Sequence, residues 1–167
     1  IGIRVESSTS TGNTILGNSI YANNNLGIDL LGGTEDGYDV TANDAGDGDT
    51  GANTLQNYPV LSTAGTTGTQ ITITGSLNST ANSYYRIEFF SSTSGDVSGY
   101  GEAGAYLGFA NVATDGSGNA TINAVLTASV SAGDIITATA TKSDATYTSF
   151  TDTSEFAANI SATAAAS

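Results

Sequence analysis

The sequence predicts an all-β protein in two parts, and three observations carry that expectation. A short apolar–polar motif recurs at a fixed offset near the N-terminus, the mark of stacked strands. From about residue 56 the chain alternates apolar and polar residues in short runs divided by Gly, Ser, Asn and Asp. No segment carries an apolar stripe at the 3.6-residue period of a helix.

The first part covers residues 1–55. Gly2-Ile3-Arg4-Val5 recurs as Gly27-Ile28-Asp29-Leu30, an offset of 25 residues with the alternation kept in register. Between the copies, Asn13-Thr14-Ile15-Leu16-Gly17-Asn18 and Ser19-Ile20-Tyr21-Ala22-Asn23 read as further short strands with Asn at the bends. Such a rung predicts a terminal coil of a right-handed parallel β-helix, with Ile3, Ile15, Ile20 and Ile28 stacked inside and Asn18 and Asn23 bonding the turns. One coil cannot bury a core, and about three stacked repeats are the usual minimum. The expected partners are therefore upstream β-helix coils or a neighbouring copy of the chain. Because Ile1 to Val5 already read as the middle of an element, a longer chain is expected, with its secretion signal further upstream.

The second part covers residues 56–167. Period-two alternation predicts strands at 70–77, 84–91, 105–114, 119–127, 134–142 and 154–161. Their inward residues are expected to be Ile71, Ile73, Leu77, Tyr85, Ile87 and Phe89, then Leu107, Phe109, Ile122, Leu126, Ile135, Phe156 and Ile160. Short alternating strands at this spacing predict an antiparallel immunoglobulin-like β-sandwich, without the Cys and Trp pins of antibody domains. Asp115-Gly116-Ser117-Gly118-Asn119 reads as a hairpin loop.

Between the two parts lies an acidic loop expected to cap the coil. Residues 29–53 hold seven of the chain's sixteen acidic residues and no Lys or Arg. Carboxylates crowded into a Gly-rich loop repel one another unless a hard cation lies between them. Ca2+ takes about six to eight oxygen ligands from carboxylates, Asn side chains and backbone carbonyls, and this loop supplies all three. Asp44, Asp47 and Asp49 are the main candidate ligands, with Asp29 and Asn53 as further ones. Loss of the ion is expected to loosen residues 1–55 more than the sandwich. The loop is not an EF-hand, because Leu55 stands where the bidentate Glu would be, and Gly37 breaks the calcium nonapeptide pattern. Asp96 and Glu102 form a weaker second cluster that reads more readily as a solvated loop.

Composition narrows the function. The chain has 167 residues, a formal net charge of −13, and no Cys, His, Met or Trp. That charge disfavours nucleic acid and anionic membrane surfaces, and no apolar run is long enough to insert in a membrane. Thiol catalysis, disulfides and His bases are excluded by the inventory. Arg4, Arg86 and Lys142 are the only cationic side chains, too few to mark a lyase groove in a single rung. The eight tyrosines raise carbohydrate as a partner class, although strand packing accounts for several of them.

Two stretches carry a resemblance. The run GNTILGNSIYANNNLGIDL followed by NDAGDGDTGANTLQNYPVL resembles the C-terminal end of the parallel β-helix repeats of large secreted or surface-anchored bacterial proteins. YYRIEFFSSTSGDVSGYGEAGAYLGFANVATDGSGNATI and ITATATKSDATYTSFTDTSEFAANI are similar to the immunoglobulin-like sandwich that follows those repeats. Together they span nearly all 167 residues. Lys142 departs from the pattern, since related chains often carry Asp in that strand end. The resemblance implies an extracellular or bacterial cell-surface setting. The expected function is a non-enzymatic structural or adhesive module stabilised by Ca2+. The competing classes are a self-assembling subunit of a filament or surface layer and a carbohydrate-binding module attached to a polysaccharide-active protein.

Overall fold

Alternation gives each long strand one apolar face, and the computed structural model, which describes residues 1–165, sets those faces against one another. The strands are β1 (Ile3–Val5), β2 (Ile28–Leu30), β3 (Val60–Thr66), β4 (Ile71–Asn78), β5 (Tyr84–Ser92), β6 (Ala105–Ala113), β7 (Asn119–Leu126), β8 (Ile135–Ser143), β9 (Phe150–Thr153), β10 (Ile160–Ser161) and β11 (Thr163–Ala164). The protein is all-β apart from a 3-10 turn at Ala52–Leu55, and among the described residues no helix is long and apolar enough to cross a membrane. One sheet has the order β11-β3-β4-β7. The other has the order β10-β8-β5-β6, with β9 also paired to β8. Ile71, Ile73, Leu77, Ile122, Tyr85, Ile87 and Phe89 are fully buried in the core they share.

Several expectations are corrected. Strand β3 carries no clear alternation because its register slips between Leu61 and Thr63, and it was not expected. The 154–161 run is not one strand: β9 and β10 flank a bend that sends Phe156 into a second core. In β8 it is Ile136, Ala138 and Ala140 that face the sandwich interior, and Ile135 is only partly buried. Phe109 stays 45 % exposed, with the Arg86 guanidinium 4.2 Å from its ring centroid and 4.3 Å from that of Phe150. The Asp115 loop is not a hairpin, since β6 and β7 lie in different sheets. Asp115 Oδ1 accepts the Ser117 and Asn119 amides and turns the chain from one sheet to the other.

The 25-residue offset is realised as a parallel pair. Strand β1 lies on β2 in the register Ile3↔Ile28, Arg4↔Asp29 and Val5↔Leu30. The pair is not continued into a solenoid among the described residues. Val5, Ile15, Ile20, Ile28 and Leu30 instead bury against Phe90, Ala103 and Phe156 on the outer face of the β5 sheet. Each copy opens on Gly for a steric reason: a Cβ on Gly27 would stand 2.6 Å from the Phe156 ring, and one on Gly2 would stand 2.5 Å from Ile20.

Several backbone amides of residues 12–41 are taken by acidic side chains from the later part of the chain. Asp152 accepts the Gly12 amide and Glu88 accepts that of Gly17, both at 2.7 Å. Glu102 accepts the Ala22 and Asn23 amides, and Glu155 accepts those of Leu30 and Thr41. Buried amides cost free energy unless paired, so Glu155, whose two bonds are buried, does most to hold the β1–β2 layer on the sheet, with Glu88, Glu102 and Asp152 bonding its more exposed amides.

Candidate metal site

The acidic loop is folded by its own amides and by the start of the sandwich. Gly46 and Asp47 both take left-handed backbone conformations, with φ of 78° and 58°, and turn the loop back on itself. Asn57 clamps Asp44 on both its backbone groups: its Oδ1 accepts the Asp44 amide at 3.1 Å, and its Nδ2 donates to the Asp44 carbonyl at 2.7 Å. The Gly46 amide donates to Asn78 Oδ1 at 2.8 Å, and Asn43 exchanges hydrogen bonds with the Tyr58 backbone. Asp47 Oδ1 accepts the Asn57 amide at 2.8 Å, and its Oδ2 accepts the Ser79 hydroxyl at 2.7 Å. The same Ser79 hydroxyl lies 2.8 Å from the buried Tyr85 hydroxyl.

This arrangement brings Asp44, Asp47 and Asp49 together, each offering one carboxylate oxygen within 4.8 Å of the others. All three are half-buried. Burial is the main cause that pushes the Asp47 carboxyl up to about 6; its bonds to Ser79 and Asn57 oppose the rise, and Asp49 and Asp44 add to it. Asp49 is also raised, first by burial and then by Asp44. Asp49 Oδ1 is buried with no hydrogen-bond partner. Clustered anions with a buried, unpartnered carboxylate oxygen fit a metal ion, which would supply the missing charge and ligation.

The two further sequence candidates lie elsewhere. Asp29 sits in β2 opposite Arg4, with Arg4 Nε 3.2 Å from its Oδ2, and is 1 % exposed. Burial raises its carboxyl despite Arg4. The parallel register sends Asp29 to a cation of its own chain, not to the loop. Asn53 has no free donor atom for an ion: its Oδ1 accepts both the backbone amide and Nδ2 of Asn13, and its Nδ2 donates to Asn13 and Thr153 carbonyls. Asp96 and Glu102 do not form a second cluster either, because Asp96 Oδ1 accepts the Ser98 amide and Glu102 is spent on Ala22 and Asn23.

Sequence reasoning missed Asn57, Asn78 and Ser79 as the supports of the site. The Gln56-Asn57-Tyr58-Pro59 run immediately after the loop was the available signal. Their positions tie the cluster to β4 and the β4–β5 turn, while Asp49 lies beside Gly33 just past β2, so loss of an ion is expected to reach the sandwich edge as well as residues 1–55. No protein-family model matches the chain, and no characterised protein matches it significantly.

Proposed function

We propose that the chain is a non-enzymatic structural module of a bacterial extracellular or cell-surface protein, fixed by a Ca2+ ion at Asp44, Asp47 and Asp49. The observation that carries the reading is the convergence of three half-buried carboxylates with an unpartnered Asp49 oxygen. Oxygen-only ligation favours a hard cation, and a flexible Gly-rich loop suits Ca2+ better than the strict octahedron of Mg2+. The immunoglobulin-like reading is supported by strand order: β3-β4-β7 faces β6-β5-β8-β10, and the last strands leave one sheet at β10 and join the other at β11. The β-helix reading is supported by the parallel pair at the repeat offset. The use of Glu88, Glu102, Asp152 and Glu155 as backbone acceptors favours a structural role for these acids over a catalytic one.

Calcium at a hundredfold excess over Kd is expected to stabilise the fold by about 3 kcal/mol through mass action, and so to raise the melting temperature over that in chelator. Asp47→Asn or Asp49→Asn should weaken binding at least tenfold, and Asp115→Ala should leave it unchanged. Asp47 must lose its proton before it binds the ion, so affinity should rise as pH increases from 5 through 6 to 7. Thermal melts test the first statement, and calorimetric titration of the variants and of the unaltered chain at those pH values tests the other two. Superimposable melts with and without calcium would remove the site.

A self-assembling subunit is the second reading, favoured by the strand edge. Among the described residues β1 pairs only with β2, and an open groove of about 510 Å3 runs beside Ile3, Val5 and Ile15. An unpaired parallel edge can take up another coil of the same pattern, upstream or on a neighbouring copy. Ile3→Lys together with Val5→Lys is expected to abolish any oligomer seen by light scattering while the sandwich stays folded. An oligomer that survives both changes would place association on another surface.

A further inference from the structure

We propose that the groove beyond the C-terminal end of β5 is a binding site for a neutral glycan chain, with Tyr21 as its stacking platform. The groove measures about 400 Å3, and Tyr21, Ser91, Thr93, Ser94, Glu102 and Asp134 are among the residues that line it. Tyr21 is 62 % exposed, yet the chain on both sides of it is fixed. Ile20 exchanges backbone hydrogen bonds of 2.9 and 2.8 Å with Ala103, and Glu102 accepts the Ala22 and Asn23 amides at 2.7 and 2.8 Å. An exposed ring on an anchored segment presents its face at little entropic cost, and a flat aromatic face suits the C–H face of a pyranose.

The free polar atoms around that ring set the ligand class. Among the described residues the hydroxyls of Ser91, Thr93 and Ser94 make no hydrogen bond, and Asp134 uses Oδ2 on the Ser131 amide while Oδ1 stays free. Hydroxyls with one acceptor oxygen match sugar hydroxyls, which both donate and accept. Both Glu102 oxygens are already occupied, so the groove does not offer the paired carboxylates that a Lys or Arg chain would need. A peptide could not add as a strand, because β5 is paired on both sides by β6 and β8. The net charge of −13, with Glu102 and Asp134 at the rim, repels uronate and sulfated sugars. Ser79 and Tyr85, which adjoin the acidic cluster, lie at the opposite end of β5, roughly 20–25 Å away by strand rise. The inference therefore goes beyond the structural reading and stands whether or not an ion occupies that cluster.

The test is a titration of the isotope-labelled chain, followed by amide NMR, with hexasaccharides of β-linked glucose, xylose, mannose and N-acetylglucosamine. At least one should shift the Tyr21, Thr93, Ser94 and Asp134 amides. Tyr21→Ala should weaken that binding at least tenfold, Tyr21→Phe should keep most of it, and Tyr38→Ala, which alters a tyrosine outside the groove, should leave it unchanged. Unaltered spectra elsewhere would show that the variants are folded. Failure of all four sugars to shift those amides, full affinity in Tyr21→Ala, or binding of hexalysine in place of every sugar would each overturn the proposal.

Discussion

Glu155→Ala is expected to cost about 2–6 kcal/mol, because it leaves two buried amides without an acceptor and each such orphan costs about 1–3 kcal/mol. Glu155 is 2 % exposed, with Oε1 accepting the Leu30 amide at 2.9 Å and Oε2 accepting that of Thr41 at 3.0 Å. Thr41 in turn donates its hydroxyl to the Leu30 carbonyl, so one side chain fixes both β2 and the strand-like segment beside it. Hydrogen exchange should show Leu30 and Thr41 losing protection first, while β4 amides keep theirs. Glu155→Gln should lose less, since it retains one acceptor oxygen. Burial pushes the Glu155 carboxyl up to about 8 despite those two bonds. A raised folded-state pKa means that its contribution is fully present below the unfolded value near 4.5 and is lost as pH rises through about 8. In chelator, therefore, the native chain should become less stable from pH 5 to pH 8, and Glu155→Gln should flatten that slope. A slope unchanged in Glu155→Gln would assign the pH dependence to other carboxyls.

What could be read from the sequence follows from what leaves a local trace. Side chains with strict alternation, such as Ile71, Ile73 and Leu77 or Tyr85, Ile87 and Phe89, occupy the interior as expected, because period two admits one buried face. The repeat of Gly-Ile-x-aliphatic foretold the β1–β2 register residue by residue. That register also places Arg4 opposite Asp29, which was enough to withdraw Asp29 from the acidic loop, yet loop composition outweighed it. Strand β3 and the orientation of Phe109 were hidden by bulges at Leu61/Thr63 and Phe89/Phe90, each of which resets the phase. Most opaque were the bonds from Glu88, Glu102, Asp152 and Glu155 to the first part of the chain. A side chain that caps a backbone amide up to 140 residues away has no spacing or composition to betray it. The acidic triad was legible because its three members are close in sequence, whereas Asn53 was drawn away by Asn13 and Thr153, which are not.

Phe89→Ala and Phe90→Ala should each cost about 3–5 kcal/mol, as expected for a deeply buried ring, but should release different parts of the molecule. The two rings are neighbours on β5 and point to opposite faces. Phe89 is fully buried between the sheets with Ile73, Ile87 and Ile136. Phe90 is 3 % exposed and lies in the second core, its ring edge-on to Phe156 at 5.6 Å and to Tyr106 at 5.7 Å. A cavity at Phe89 removes the contact that joins the sheets, so the whole transition should fall by roughly 10 °C, with amides of β4, β5 and β7 losing protection together. A cavity at Phe90 opens only the layer that carries β1 and β2. That layer is held by a smaller apolar cluster than the core between the sheets and by carboxylate–amide bonds, so it should open sub-globally, exposing Gly17, Leu30 and Thr41 while β4 and β7 stay protected. Native-state hydrogen exchange on the two variants separates the cases. Equal loss of protection in β4 and β7 would mean that the two cores unfold as a single unit and that the N-terminal layer is a full structural partner of the sandwich.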